Sequence, residues 1–352
     1  MHIPHNRPCL DESDAAAAYQ AVLSGWVSHG RRCRELEEAL SQLILHRPGG
    51  GLVCANGTTA LYLAMKVVGV SKGDEVVVPG YCCTALLNAV FMAGARPVVA
   101  DISPGNLSFN RDSLSPYLTP VTKAVVVVHT YGIPCEVDKL AESGVSIIED
   151  CAQALGSRFK DGQPVGSKGD VAAFSFYATK FITGGYGGAI ISRNTQYINQ
   201  LTDYLNFDQP SQYYPRFNFQ VSDINAAVIL SQLQKLDRFL DRRRQIARRY
   251  LEVFDQAQFN RLAGQNHFRF LVELESKEQI NHLRSFLADK GINAIIPLEE
   301  DELLHNYLAL SQDGFPVAQR YAKTLLSLPI YPCLTDEQVA YICQALAEWR
   351  YP

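Results

Sequence analysis

The sequence predicts an α/β fold: a large domain on a seven-stranded, mostly parallel sheet, followed by a smaller C-terminal α+β domain. Three observations predict it. Short apolar runs alternate with amphipathic stretches from residue 13 to residue 192, which is the pattern of strands covered by helices. Those runs lack strict in–out alternation, most plainly residues 123–129 with their four consecutive valines, so the sheet is expected to be buried on both faces. Far downstream the pattern changes to His267-Phe-Arg-Phe-Leu-Val-Glu273, an alternating strand of a different kind of sheet. A chain of 352 residues has room for one large unit and a smaller second one, and the division is expected near residue 240, giving domains 1–240 and 241–352.

Residues 13–24 read as a helix, with Ala15, Ala18, Tyr19, Val22 and Leu23 at helical spacing and Ser24-Gly-Trp26 ending it. Residues 32–45 form a second amphipathic helix, stopped by His46-Arg-Pro-Gly-Gly50. A short strand at 52–55 leads through Asn56-Gly-Thr-Thr59 into a helix carrying Leu61, Leu63, Ala64, Met65 and Val68. The start of that helix offers free N–H groups, which favour an anion. Then come a strand at 75–79, a helix at 84–92, strands at 97–101 and 123–129, a short helix at 138–142 and a strand at 145–150. Residues 171–176 and 187–192 complete the seven candidate strands.

Residues 201–221 read as an irregular aromatic segment, with Tyr204, Phe207, Tyr213, Tyr214, Phe217 and Phe219 around Pro210 and Pro215. One long helix is expected from Ser222 or Asp223 to about Phe254; Arg242 to Arg244 and Arg248-Arg249 form a basic patch on it, read as a solvated face. The second domain is expected to hold the strand at 267–273, a helix at 277–288, a second strand at 290–296, and helices at 316–326 and 335–349.

The composition excludes several classes. Hydrophobic content of 47% with 19% charged residues is that of a globular enzyme. A net charge of −4 gives no reason to expect nucleic acid. No run of 18 apolar residues exists to span a membrane, and the N-terminus shows no secretion signal. The nine cysteines are scattered, odd in number and without C-x-x-C spacing, as expected of buried small hydrophobes in a reducing cytoplasm. No metal site is expected.

The chemistry concentrates between residues 145 and 190. The strand at 145–150 ends on Glu149 and Asp150, the next ends near Lys180, and Gly184-Gly-Tyr-Gly-Gly188 follows. Open α/β sheets place their sites at such strand ends, where an amine and a carboxylate can hold one cofactor between them. A lysine among apolar and small neighbours is suited to act as a nucleophilic amine. The bland roles are a surface lysine at 180 and a turn cap at Asp150.

The motifs Glu149-Asp-Cys-Ala-Gln-Ala-Leu-Gly156 and Ser175-Phe-Tyr-Ala-Thr-Lys180 resemble those of the DegT/DnrJ/EryC1/StrS family of pyridoxal-phosphate (PLP) sugar aminotransferases, over nearly the whole chain. The resemblance implies the fold type I architecture of PLP-dependent transferases and PLP as cofactor. It implies that Lys180 is the catalytic lysine, holding the cofactor covalently and then moving the proton as base and acid. Asp150 is implied as the partner of the pyridine nitrogen, and Gln153 as a contact of the cofactor ring. Gly57, Thr58 and Ser175 are implied around the phosphate, joined by Asn218 from the neighbouring subunit of a homodimer with shared active sites.

The sequence also departs from the family. Asn56 stands at a usual serine and Cys83 where an aromatic often covers the ring, which leaves that part to another side chain or to a rearranged Tyr81. Tyr186 replaces a common glutamate, and Gln220 a common basic residue. The segment between Gly132 and Ser146 is short, and Ile295-Ile-Pro-Leu298 lacks the usual His-Tyr-Pro, with His305 nearby. The expected function is transfer of an amino group from glutamate or glutamine to a keto group of a nucleotide-linked sugar. The alternatives are a PLP enzyme acting on a small amino compound and a catalytically silent binding or regulatory relative.

Overall fold

The computed structural model describes residues 1–141, 144–208 and 212–351. Its centre is a seven-stranded sheet of β1 (Gly51–Cys54), β2 (Glu75–Pro79), β3 (Arg96–Ala100), β4 (Thr122–Val128), β5 (Ser146–Asp150), β6 (Val171–Ser175) and β7 (Gly188–Ile191), in the order β1-β7-β6-β5-β4-β2-β3. Every neighbouring pair from β6 to β3 is parallel; β7 runs antiparallel to both β6 and β1. The valine runs explain the burial of both faces. Ala124, Val126 and Val128 enter one core and Val125 and Val127 the other, because successive side chains of a strand point to opposite sides.

Helices α1 (Glu12–Leu23), α2 (Arg31–Leu45), α3 (Gly57–Val67), α4 (Ala85–Met92), α5 (Arg111–Leu114), α6 (Val137–Ala141), α7 (Thr195–Leu205), α8 (Asp223–Leu233) and α9 (Leu236–Val253) surround the sheet. One core takes Leu63 of α3, Leu86 of α4 and Leu201 of α7; the other takes Leu36 and Leu40 of α2, Leu140 of α6 and Ile229 of α8. The smaller domain pairs β8 (Phe270–Glu273) with β9 (Leu325–Leu328), antiparallel, and adds α10 (Lys277–Asp289), α11 (Leu304–Tyr307), α12 (Pro316–Thr324) and α13 (Asp336–Glu348). Its core gathers Ile246 and Tyr250 of α9, Leu283, Leu326 and Ile342, and also Ile3 from the other end of the chain. The fold class is therefore the expected one. Among the described residues no helix is long and apolar enough to cross a membrane.

Three expectations need correction. The helix read through 222–254 breaks between α8 and α9 at Gln234 and Lys235, where the side chains of Gln232 and Lys235 both turn to the buried carboxylate of Asp14 on α1 (2.7 and 2.8 Å). Tertiary contact overrides helical propensity there. The aromatic segment is helical up to Leu205, because Ile198, Leu201 and Tyr204 pack on the sheet; Pro210 lies outside the described residues. The strand read at 290–296 forms only single bridges, Ile292 with Ile3 and Ile295 with Ser327. Its place is taken by β9, because α12 stops at Thr324 and Leu325 turns extended (φ −105°, ψ 134°). The helix read at 13–24 is present as α1, and its apolar stripe faces outward, with Tyr19 and Leu23 each 61% exposed, while its buried face carries Asp14 and Ala21. The short helix read at 138–142 is present as Val137–Ala141; Glu142 lies outside the described residues.

The N-terminal segment crosses to the small domain. Ile3 N–H donates to Gly291 O (2.8 Å), and Asn293 N–H donates to Ile3 O (2.9 Å). Gly291 makes this approach possible: its φ is +75°, and a Cβ there would lie 2.1 Å from the Met1 carbonyl oxygen.

Candidate active site

Strands β5 and β6 are parallel neighbours, with Asp150 opposite Ala173, so the carboxylate and the loop to Lys180 leave the sheet at the same carboxyl edge. The loop is short and internally bonded. Phe176 N–H donates to Gly187 O and Lys180 N–H to Tyr177 O, both at 2.9 Å, and Lys180 is half-buried.

Asp150 is 6% exposed. Its Oδ1 accepts from Ala152 N–H (2.9 Å), so the capping role exists; Oδ2 has no hydrogen bond among the described residues. Burial raises the carboxyl above the usual aspartate range, against the Ala152 N–H and the Lys180 charge, which favour the ionised form. A buried carboxylate with an open oxygen fits a protonated ring nitrogen.

Glu149, the neighbouring acid, is built differently. It is fully buried, with Oε2 receiving Gly166 N–H (2.8 Å) and His129 Nε2 (2.9 Å), and Oε1 receiving Lys168 N–H (2.8 Å) and Gly169 N–H (2.6 Å). Burial pushes this carboxyl up, but His129 and the backbone donors outweigh it and hold it below the usual glutamate range. His129 Nδ1 accepts from Cys135 N–H (3.0 Å), which leaves the proton on Nε2 to donate to Glu149. Both imidazole nitrogens are thereby engaged. His129, Glu149 and Cys151 lie close enough to suggest a metal cluster, but the hydrogen bonds already use the donor atoms of His129 and Glu149. Glu149 is built as a structural acid, its carboxylate tying the 166–169 turn to β5.

Gln153 Oε1 accepts from Tyr131 N–H (2.8 Å), which leaves its amide nitrogen as the donor available to the cavity it lines. Tyr131 holds φ +56°, an unusual left-handed conformation for a tyrosine.

The expected phosphate residues converge. Asn56 caps α3, its side chain accepting from Thr59 N–H (2.9 Å), so the substitution for serine keeps the cap. The N–H groups of Gly57 and Thr58 remain at the open helix end. A Cβ on Gly57 would lie 2.7 Å from Ser175 Cβ, so glycine is what lets the helix start and the end of β6 meet. This cradle fits a phosphate and supports PLP as the group held here. Asn218 stands apart: it is exposed, and its Oδ1 accepts from Gln220 N–H (3.1 Å).

Tyr81 does not cover the site. It is fully buried, edge-on to Tyr131 (6.3 Å) and Tyr321 (6.5 Å). Cys83 is exposed near Asp150 and Lys180, and the adjoining Cys82 draws its thiol down to about 7. Tyr186 is exposed and meets Tyr177 edge-on (5.7 Å). His305 is stacked on Phe315 (4.2 Å) inside the core.

Beside Lys180 and Gln153 opens a cavity of about 240 Å³ that also takes His5, Arg243, Arg269 and Ser327. Sequence reasoning missed these four. Arg243 was read as part of a solvated patch, yet it is 4% exposed, its Nη1 donating to the carbonyls of His267 (3.0 Å), Phe268 (3.0 Å) and Ile330 (2.7 Å). Burial lowers it to about 9, still cationic at neutral pH. The available signal was Arg269, an arginine between two phenylalanines on an apolar strand.

The fold and motifs agree with known proteins. The model of the DegT/DnrJ/EryC1/StrS aminotransferase family matches residues 8–347. GDP-perosamine synthase of Escherichia coli O157:H7 is 30% identical over 99% of this chain and 98% of its own. The aminotransferase TlmJ of Streptoalloteichus hindustanus superposes with a TM-score of 0.90 at 28% identity, covering 99% of this chain and 98% of that one. The protein Spr1654 of Streptococcus pneumoniae superposes in its PLP-form with a TM-score of 0.89 at 27% identity, over 99% and 98% of the two chains, and has also been solved in a PMP-form. The chain therefore belongs to the DegT/DnrJ/EryC1/StrS aminotransferase family.

Proposed function

We propose that this protein is a PLP-dependent aminotransferase that carries an amino group from glutamate or glutamine to the keto group of a nucleotide-linked sugar. The observation that carries the reading is Asp150 and Lys180 on one sheet edge beside the Gly57–Ser175 cradle. The sugar rests on similarity to GDP-perosamine synthase, and the cofactor also on the PLP- and PMP-forms of Spr1654.

PLP, when bound, supplies an electron sink for the carbon that gains or loses nitrogen. Asp150 keeps the ring nitrogen protonated. Lys180 Nζ takes the α-proton of the donor and later delivers a proton to the sugar carbon that receives the nitrogen. Gly57, Thr58 and Ser175 hold the phosphate, and Gln153 steadies the ring through its amide. The division we propose near residue 240 is supported by α9, whose Leu240 packs in the large core and whose Ile246 packs in the small one.

We place the enzyme in the cytoplasm, where its nine free cysteines stay reduced. We also propose that it works as a homodimer in which Asn218 completes the partner's phosphate site. The exposure of Asn218, Phe217 and Tyr213, and of Tyr19 and Leu23 on α1, supports this, because aromatic surface of that extent is typical of interfaces. A second reading keeps Asn218 in its own subunit, and one observation favours it: Phe219 O accepts from Ala55 N–H (2.7 Å), beside the start of α3.

Replacing Lys180 with alanine tests the central reading. Transfer from glutamate or glutamine to nucleotide keto sugars should disappear, together with the visible absorption of lysine-bound cofactor. A K180A protein with normal turnover removes the assignment. A wild-type protein that transfers nitrogen only to small keto acids points to a small amino compound instead, and one that binds no PLP points to a silent relative.

A further inference from the structure

The cavity beside Lys180 carries an unbalanced charge. Lys180, Arg243 and Arg269 line it, and no aspartate or glutamate does. Neither arginine has an ion pair among the described residues. Arg269 contacts only neutral groups, His5 Nε2 at 3.3 Å and Ser327 Oγ at 3.4 Å, both long for hydrogen bonds. His5 Nε2 also lies 2.9 Å from Ser327 Oγ. Burial, Arg269 and Arg243 together hold His5 down to about 3, so it stays neutral and adds no balancing charge. The Nε atoms of both arginines are buried without partners. Arginine presents five donors, so each guanidinium keeps capacity that the chain leaves unused. A buried, unpaired cation is costly, and groups of this kind are normally completed by an anion.

The size of the space limits what that anion is. At about 240 Å³ the cavity is small beside the roughly 300–1,000 Å³ of sites for drug-sized ligands, a size that suits an anion no larger than an amino acid. It is also walled from both domains: Gln153 and Lys180 come from the loops after β5 and β6 of the large sheet, Arg269 from the residue before β8, and Ser327 from β9. An amino acid with its nitrogen at Lys180 would therefore turn its acid group toward the arginines.

We propose that Arg269, steadied by His5 and Ser327 and backed by the buried Arg243, binds the carboxylate of the amino-acid donor. This rests on the aminotransferase reading of the same site. It makes Arg269 a residue that selects the donor, and leaves the sugar to be recognised elsewhere. A planar guanidinium gives two parallel bonds to a carboxylate, which an ammonium does not.

The test uses the PLP-loaded protein as wild type, Arg269→Leu and Arg269→Lys. Succinate, which cannot react, is titrated by calorimetry, with inorganic pyrophosphate as a second probe. Steady-state KM and kcat are then measured for glutamate and for the keto sugar. Wild type should bind succinate, and R269L about tenfold more weakly or worse, a loss of the size expected for a charge-assisted pair. KM for glutamate should rise by at least a similar factor with kcat and the sugar KM little changed. R269K should recover part of the succinate affinity while melting like wild type, which a merely structural role for Arg269 would not produce. Equal succinate affinity in wild type and R269L overturns the proposal. So does a rise confined to the KM of the sugar, or loss of pyrophosphate binding alone, since the anion would then belong to the nucleotide. A protein that binds succinate through Arg269 yet transfers no amino group upholds this inference and defeats the functional reading instead.

Discussion

Glu149 and Asp150 are adjacent on β5, yet one is tuned down and the other up. Strand periodicity is the cause. Ile147 and Glu149 face the core of α2 and α8, while Ile148 and Asp150 face the core of α3. Glu149 meets four donors; Asp150 meets one, and burial dominates. A raised folded-state pKa means that the fold disfavours the ionised carboxylate. This cost is present above the raised pKa and vanishes below the aspartate value of about 3.9 for an unfolded chain. Cofactor-free D150N should therefore melt at or above the wild-type temperature at pH 7, while the PLP-loaded variant loses most turnover. Thermal melts with and without cofactor, paired with assays at saturating PLP, check both halves. Near-wild-type turnover would leave Asp150 only its cap on the Ala152 turn.

At the scale of elements, Glu149 does for the 166–169 turn what a cap does for a helix: one carboxylate anchors three backbone N–H groups to β5. Its lowered pKa contributes stability that is full above the unfolded glutamate value of about 4.3 and is lost as pH falls through the folded value. Glu149→Gln should cost on the order of 3 kcal/mol at pH 7, the upper end of the scale for hydrogen bonds to a charged group. The gap from wild type should close on acidification below about pH 4. Urea titrations across that range measure it; a gap constant with pH contradicts the assignment. Elements whose signal is local were legible in the sequence, including all seven strands of the large sheet. Those decided by distant contacts were not. Leu325–Leu328 looks like a helix end until Phe270 and its neighbours are placed beside it, and the break after α8 depends on Asp14. The direction of the α1 stripe is not legible either, since periodicity shows an apolar stripe without showing what covers it.

For the whole molecule the two halves of the site differ in legibility. The cofactor half comes from motifs on neighbouring strands, so residues 149–156 and 175–180 announced it. The anion half draws His5, Arg243, Arg269 and Ser327 from four separate parts of the chain, and no local pattern joins them. The proposed assembly is tested at this scale by mixing subunits carrying Lys180→Ala with subunits carrying Asn218→Ala. If sites are shared, one site of each mixed dimer holds both lesions and the other holds neither, so activity should rise above both parents after exchange. No recovery in demonstrably mixed dimers assigns Asn218 to its own subunit, in line with the Phe219–Ala55 bond. An active monomer in sedimentation removes the shared site altogether.

The bridge from Ile3 to Ile292 has a consequence for how the protein is born. Residue 3 is made long before its partner, residue 292. The large sheet can assemble while Ile3 and His5 still wait, because none of its seven strands needs them. Loop closure over so long a stretch is slow, so the small domain docks late and the arginine-lined cavity is the last part of the site to form. A nascent chain would thus own its lysine and its phosphate cradle well before it could grip a carboxylate.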